Sequence, residues 1–196
     1  MEIIRYADLK PRPWNNGGGV TRELARFPAA AGQRTDDGSW DWHLSIAEIT
    51  KAGAFSSFAE TERVLTVIDG ELLLLTVDGG EHPLEKYRPF RFPGDTEAAA
   101  ALPTGDIRAL NVLTRAGAFK GYTSIIELSK KRAHPVFAGQ FGVLLQGQAA
   151  AAPGSTPGAE PVTLDRYDAV VGSEAGTPEI LGRGFLAVVS IDAVED

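Results

Sequence analysis

The feature that most constrains this chain is the rhythm of its apolar residues. They come in short runs closed by glycine turns, and helix signals are few. Arg63 to Ile68 (RVLTVI) is apolar and β-branched, and Asp69-Gly70 closes it. Glu71 to Val77 (ELLLLTV) follows at once, and Asp78-Gly79-Gly80 is the next turn. Asp-Gly between such runs marks a hairpin or tight turn. Ser39 to Thr50 (SWDWHLSIAEIT) alternates, placing Trp40, Trp42, Leu44 and Ile46 on one face and Asp41, His43, Ser45 and Ala47 on the other. Ile107 to Thr114, Gly142 to Gln146 and Gly184 to Ile191 read as further strands. Many short strands at such spacing predict an all-β sandwich or barrel. The 196 residues suffice for one good-sized domain or two small ones.

An internal repeat sharpens this. Val67-Ile68-Asp69-Gly70 is followed by Leu84-Glu85-Lys86-Tyr87 and then by Ile107 to Leu113. Leu144-Leu145-Gln146-Gly147 is followed by Leu164-Asp165-Arg166-Tyr167 and then by Gly184 to Ile191. The repeat points to two similar β-barrels in tandem, the alternative being two ordinary β-meanders. Residues 29 to 38, and Ala149 to Glu160 with its Pro, Gly and Ser, read as loops.

Composition removes several function classes. The formal charge of -7 and pI near 5.0 disfavour a phosphate backbone as partner, so no nucleic-acid binding is expected. With no cysteine there is no disulfide, thiolate nucleophile or zinc–cysteine site. The N-terminus has no apolar leader core, and no run approaches the roughly 18 residues of a membrane span. The expectation is a cytoplasmic protein without a membrane partner. The three histidines, His43, His82 and His134, show no ligand spacing, so no metal or other cofactor is expected. Walker, Rossmann and Gly-x-Ser-x-Gly signatures are absent, and no catalytic residue is assigned.

Pro13 to Glu23 (PWNNGGGVTRE) is the segment with chemical content. Glycine is costly to order, so three together mean a close backbone approach or a floppy joint. The segment reads either as one wall of a small-molecule pocket or as a tight turn with Trp14 plugging the core. Arg22 and Glu23 fall on opposite faces of the strand that follows. Arg63 opens an apolar strand, as a carboxylate clamp in a barrel mouth or as a rim charge. Asn111 interrupts IRALNVLT, where it braces the barrel or faces a ligand. Ser45 and Ala47 are small and leave room beside His43, or pack tightly against another sheet.

In order along the chain, PWNNGGGVTRE, WHLSIAEI (Trp42 to Ile49), GAFSSFAETERVLTVIDG (Gly53 to Gly70), FRFPGD (Phe90 to Asp95) and LNVLTR (Leu110 to Arg115) resemble the HutD/Ves family of bicupins. The resemblance is strongest from residue 13 to 115. It implies two cupin-like jelly-roll barrels without a metal, residues 1–117 forming the first with the N-terminal segment and 118–196 the second, packed as one unit. It also implies a non-enzymatic protein that tunes histidine utilisation by binding a small carboxylate, of the urocanate or formyl- or formimino-glutamate kind.

Matching residues are Trp14, Asn16, Gly17, Gly18, Gly19, Thr21, Arg22, Glu23, Ser45, Ala47, Phe55, Phe58, Arg63 and Asn111. Asn15 and His43 depart from the family's usual Lys and Arg. The expected ligand-binding set is Trp14, Asn16, Gly17, Thr21, Glu23, Trp42, His43, Ser45, Phe58, Arg63 and Asn111. In it Arg63 pairs the carboxylate, Asn16, Ser45 and Asn111 supply hydrogen bonds, and Trp42 and Phe58 are apolar walls. The alternative is a metal-independent cupin isomerase or hydrolase of a small acid, with Glu23 or Glu62 as base and His43 as acid. Exposed barrel edges also admit a homodimer.

Overall fold

The computed structural model describes residues 1–28, 40–154 and 158–195. The loop expected at 29–38 lies outside them. Among the described residues the strands are β1 (Glu2–Ile4), β2 (Arg12–Pro13), β3 (Gly19–Phe27), β4 (Trp42–Ile49), β5 (Gly53–Ala54), β6 (Thr61–Asp69), β7 (Leu72–Val77) and β8 (Gly80–Glu85). They continue as β9 (Phe90–Pro93), β10 (Ala98–Ala101), β11 (Ile107–Arg115), β12 (Phe119–Leu128), β13 (His134–Pro135), β14 (Gln140–Pro153), β15 (Val162–Leu164), β16 (Ala169–Val171) and β17 (Pro178–Ala193). One 3₁₀ turn, Tyr6–Asp8, is the sole helical element among them. No helix among the described residues is long and apolar enough to cross a membrane.

The chain divides into two compact units. The first comprises Lys10–Gly121 and the residues from Asp192 onward. It holds a six-stranded sheet, ordered β2-β3-β4-β11-β6-β9, and a four-stranded one, ordered β5-β10-β7-β8. Ala47, Ile49, Leu65, Val67, Ile107 and Ala109 from the larger sheet meet Leu73, Leu75, Leu84, Ala98 and Ala100 from the smaller. Each fully buried Leu, Ile or Val contributes roughly 1.5–3 kcal/mol.

The second unit comprises Met1–Leu9 and Tyr122–Ile191. Its sheet runs β1-β16-β14-β17-β12, with β13 on β17 and β15 on β14. Leu144, Ala149, Ala151, Val170, Ile180 and Leu186 lie in its core.

Two expectations change. The sequence puts the first nine residues with the first barrel, but Glu2, Ile3 and Ile4 pair with Val171, Val170 and Ala169 of β16. Buried Asp168 fastens them, accepting Arg5 Nη1–H at 2.6 Å and the Tyr6 amide at 2.9 Å. Ala149 to Pro153, a loop by composition, belongs to β14. There Ala149 and Ala151 point into the core, and the segment pairs with β17 from Gly182 to Pro178. Gly147, at φ +102°, lets the strand continue where glycine was expected to end it.

The internal repeat is present in backbone detail. Tyr87 and Tyr167 both take left-handed conformations, φ 66° and 73°, uncommon outside glycine. The Tyr87 amide donates to Val67 O at 2.8 Å, and the Tyr167 amide to Leu144 O at 2.6 Å. These acceptors are the first residues of VIDG and LLQG, the two segments aligned by sequence. The preceding cation lies over each ring, Lys86 at 5.1 Å and Arg166 at 4.8 Å from the centroid.

Candidate functional site

Strand register builds the site on the inner face of the six-stranded sheet. One cross-strand row is Arg63 (β6), Leu113 (β11), His43 (β4) and Arg26 (β3). The next is Leu65, Asn111, Ser45 and Glu23. A third is Val67, Ala109, Ala47, Thr21 and, on β2, Arg12. Side chains two apart share a face, so the rows stack. Leu65, Val67, Ala47 and Ala109 go to the core, and the polar members other than Arg26 line a cavity of about 430 Å³. That volume suits a small metabolite.

The hairpin β2–β3 forms one wall. Gly17, at φ +68°, makes the turn, its amide donating to Trp14 O at 3.0 Å. The Gly18 amide donates to Asn16 Oδ1 at 2.9 Å, and Asn16 Nδ2 reaches Ala54 O at 3.2 Å. Gly19 has no room for a side chain, since a Cβ there would lie 2.5 Å from Glu48 O and 3.2 Å from the Trp14 ring. Trp14 Nε1–H donates to Thr21 Oγ1 at 2.8 Å. The ring also meets Phe55 edge-on, with centroids 5.9 Å apart, beside the core. The segment is therefore both cavity wall and core plug.

Arg63 is 7% exposed. Its Nε–H and an Nη2–H donate to Asn111 Oδ1 at 3.0 and 2.9 Å. Phe55 and Phe92 lie 4.7 and 5.6 Å from its guanidinium carbon. No carboxylate among the described residues pairs with it, and burial pushes its pKa down to about 10.

Across the cavity Glu23 accepts from His43 Nε2 at 3.0 Å, and Arg26 Nε lies 3.5 Å from its other oxygen. The hydrogen bond from His43 is the main reason its carboxyl stays below the ordinary value, against the opposing effect of burial. A bulge makes this cluster. Glu23 faces Ser45 and Ala25 faces Leu44, so Leu24 is extra and Arg26 returns to the side of Glu23.

Of the expected binding set, Trp14, Asn16, Thr21, Glu23, His43, Ser45, Phe58, Arg63 and Asn111 line the cavity together. Gly17 and Trp42 do not. Gly17 shapes the turn, and Trp42 stacks on Phe27 with ring planes 16° apart. Glu62, the other candidate base, pairs with Arg91 at 2.6 Å and is not a lining residue.

Sequence reasoning missed Arg12, Trp40, Leu113 and the supporting Arg26. Alternation put Trp40 with Trp42, but β4 begins at Trp42, and Trp40 turns back over His43 with centroids 5.6 Å apart. Arg12 was legible as the Arg of Pro-Arg-Pro only once β2 pairs with β3.

The second-half histidine, His134, sits on β13, where burial lowers its pKa, and His82 packs on Phe90 at 4.7 Å. Among the described residues no three His, Cys, Asp or Glu groups come together to hold a metal, so the donor set of a metal-binding cupin is not met there.

Two antiparallel β units, one with a polar cavity lined from its larger sheet, define a bicupin-type protein. A cupin barrel protein from Leptotrichia buccalis superposes with a TM-score of 0.60 over 97% of this chain and all of its own, at 9% identity, a likeness of fold alone. The chain belongs to the HutD family, whose model matches residues 6–188.

It is similar to HutD from Pseudomonas fluorescens SBW25, with a TM-score of 0.76 and 27% identity over 99% of each chain. A 21.2 kDa protein of the hutC 3′ region of Pseudomonas putida is 37% identical over 58% of this chain, and protein Ves of Citrobacter koseri 39% over 57%. The chain spans 57% and 58% of those two relatives' lengths.

Proposed function

We propose that this protein binds a small carboxylate metabolite in the cavity of its first unit and acts without turning it over. The observation that carries the reading is Arg63. A buried guanidinium with no acidic partner is costly unless an anion arrives to meet it. Its faces are flanked by Phe55 and Phe92, and Asn111 holds one edge, so an incoming carboxylate meets a pre-oriented donor fork. The names of the relatives associate the family with histidine utilisation, and urocanate and formyl- or formimino-glutamate are carboxylates of fitting size. Binding one of them would tune flux through that route.

Calorimetric titration of metal-stripped protein with these acids tests the reading. Selective binding, weakened at least about a hundredfold (about 2.7 kcal/mol) in Arg63→Gln, supports it. Binding that Arg63→Gln leaves unchanged removes the clamp.

The contact between Glu23 and His43 favours a second reading, a metal-independent cupin enzyme using this pair as base and acid. Turnover of any of these acids by metal-free protein, abolished in Glu23→Gln, would replace the first reading with this one.

A further inference from the structure

We infer that this chain associates with a second copy of itself head to tail, the outer face of the four-stranded sheet in one copy meeting the surface around Leu181 in the other. The inference is independent of the cavity and of any ligand.

The first face belongs to the first unit. Leu73, Leu75, Ala98 and Ala100 enter its core, so Leu72, Leu74, Ala99 and Ala101 point the other way. Cross-strand rows set Ala101 beside Leu74 and Pro83, and Leu72 beside Glu85. Glu81, Pro83, Glu85 and Ala101 are exposed, which leaves this face open to solvent. Acids border its apolar centre. Glu81 and Glu85 stand along β8. Asp78 and Glu97 meet at one end, where the Asp78 amide donates to Glu97 O at 3.0 Å, and Glu71 lies at the other end, just before β7. Lys86 and Arg88, in the turn after β8, are the nearby cations.

The edge of this sheet resists strand addition. Val77 pairs with Gly80 around the two-residue turn Asp78-Gly79, so Glu81, Pro83 and Glu85 turn their backbone groups to the open side. Pro83 has no N–H to give there. A partner therefore meets the face and not the edge.

The second face belongs to the second unit. Ile180 is in the core and Gly182 is buried, which turns Leu181 outward, 43% exposed. Ala150 of β14 lies opposite it, and exposed Arg183 shares its side of β17. On the other side of β17 the Gly182 amide donates to Ser129 O at 3.2 Å, and His134 pairs with Ile180. The turn of Lys130, Lys131 and Arg132 runs between these two anchors and so flanks Leu181. Ser129 Oγ shapes it, accepting the amides of Lys131 and Arg132 at 3.1 and 3.2 Å. All three cations are exposed, and Glu127 and Glu179 are the nearby acids.

Each face is therefore apolar at its centre, with charge of one prevailing sign around it, and the signs are opposite. Either face repels a copy of itself and attracts the other, which disfavours a two-fold contact and selects a head-to-tail one. The formal charge of -7 opposes approach from a distance, but at physiological salt such fields reach only about 8 Å, so the facing charges decide. Strands β10, β7 and β8 offer a footprint of about 15 Å by 20 Å, which places the contact in the weak, reversible class.

Sedimentation equilibrium of the intact protein, up to about 1 mM, tests this. Wild type should associate as its concentration rises. Glu81→Gln with Glu85→Gln neutralises the first face, and Lys130→Gln with Lys131→Gln the second. Each exposed pair of changes should weaken self-association at least about threefold. The two variants mixed, one of them labelled, should bind each other as tightly as wild type binds itself, because the mixture still holds one intact face of each kind.

A wild type that stays monomeric throughout overturns the inference. So does a loss confined to one face's variant, which marks a two-fold contact or a partner of another kind. A mixture that associates no better than either variant alone overturns it as well.

Discussion

Replacing Arg63 with Met and Asn111 with Leu together should leave the protein as stable as wild type or more so. Burial pushes the Arg63 pKa down to about 10, which corresponds to about 3 kcal/mol against the folded, charged state. The sign follows from the direction. A cation whose folded pKa is depressed costs stability in full below about pH 10, and the cost is relieved only as pH rises from there towards the ordinary guanidinium value. At neutral pH the whole cost is present.

Two hydrogen bonds into one Asn111 oxygen offset roughly 1.5–3 kcal/mol, and the flanking Phe55 and Phe92 about 1 kcal/mol. The terms nearly cancel. The double replacement removes both sides of this balance and adds apolar contact with the two rings. It should therefore gain between about 0 and 2 kcal/mol. Arg63→Met alone strands the Asn111 oxygen and should be about 1 kcal/mol less stable than the double variant. Urea denaturation at pH 7 reads the difference as a shift in midpoint at constant slope. If the double variant loses more than about 2 kcal/mol, Arg63 is a structural brace and the argument for an awaited anion fails.

Four further outcomes are expected. Glu23→Gln should be less stable than wild type at neutral pH. Because the folded pKa of Glu23 is lowered, its contribution is complete above about 4.5 and disappears as pH falls through the folded value; a gap unchanged in acid would refute the pairing with His43. Gly19→Ala should cost about 1–3 kcal/mol through the clash with Glu48 O and Trp14, whereas Gly17→Ala, open on all sides, should cost only the left-handed penalty of about 1 kcal/mol; thermal melts in the reverse order would contradict this account of the hairpin. Thr66→Val should stabilise by about 1 kcal/mol in chemical denaturation, since the buried Thr66 hydroxyl has no partner among the described residues. Asp168→Ala should cost about 3 kcal/mol, and faster hydrogen exchange in residues 2–6 would trace the loss to the N-terminal strand.

Much of the fold was legible because its signals are local. Alternation places His43, Ser45 and Ala47 on one face whatever strands lie beside them. Glycine-closed apolar runs mark β6 and β7, and the paired LEKY and LDRY segments point to two units. The structure adds the reason those segments repeat. Each tyrosine takes a left-handed backbone and donates its amide to the first residue of the matching glycine-ended segment. The triple glycine was legible as a constraint, though its three positions answer to different demands. Gly17 turns the chain, Gly18 meets the Asn16 side chain, and Gly19 yields space to a neighbouring carbonyl.

The misreadings share a cause. Ala149 to Pro153 looked like loop because alanine, proline and glycine carry weak strand preference, yet pairing with β17 satisfies its backbone and the core takes Ala149 and Ala151. Alternation pairs Trp40 with Trp42 only if it is extended past the first residue of β4, Trp42. The cluster of Glu23, His43 and Arg26 needs both the β3–β4 pairing and the extra Leu24, which no single segment reveals.

Residue order by itself determined the all-β class, the duplication, and which side chains within a strand share a face, because each depends on neighbours a few positions away. The tertiary structure decided which strands lie side by side, where the bulge falls, and hence that Arg63 meets Asn111 while Glu23 meets His43. Those pairings join residues 48 and 20 positions apart. Their register is set by cross-strand hydrogen bonds and a shared core, and a shift of one residue would turn each strand's inward set away from the cavity.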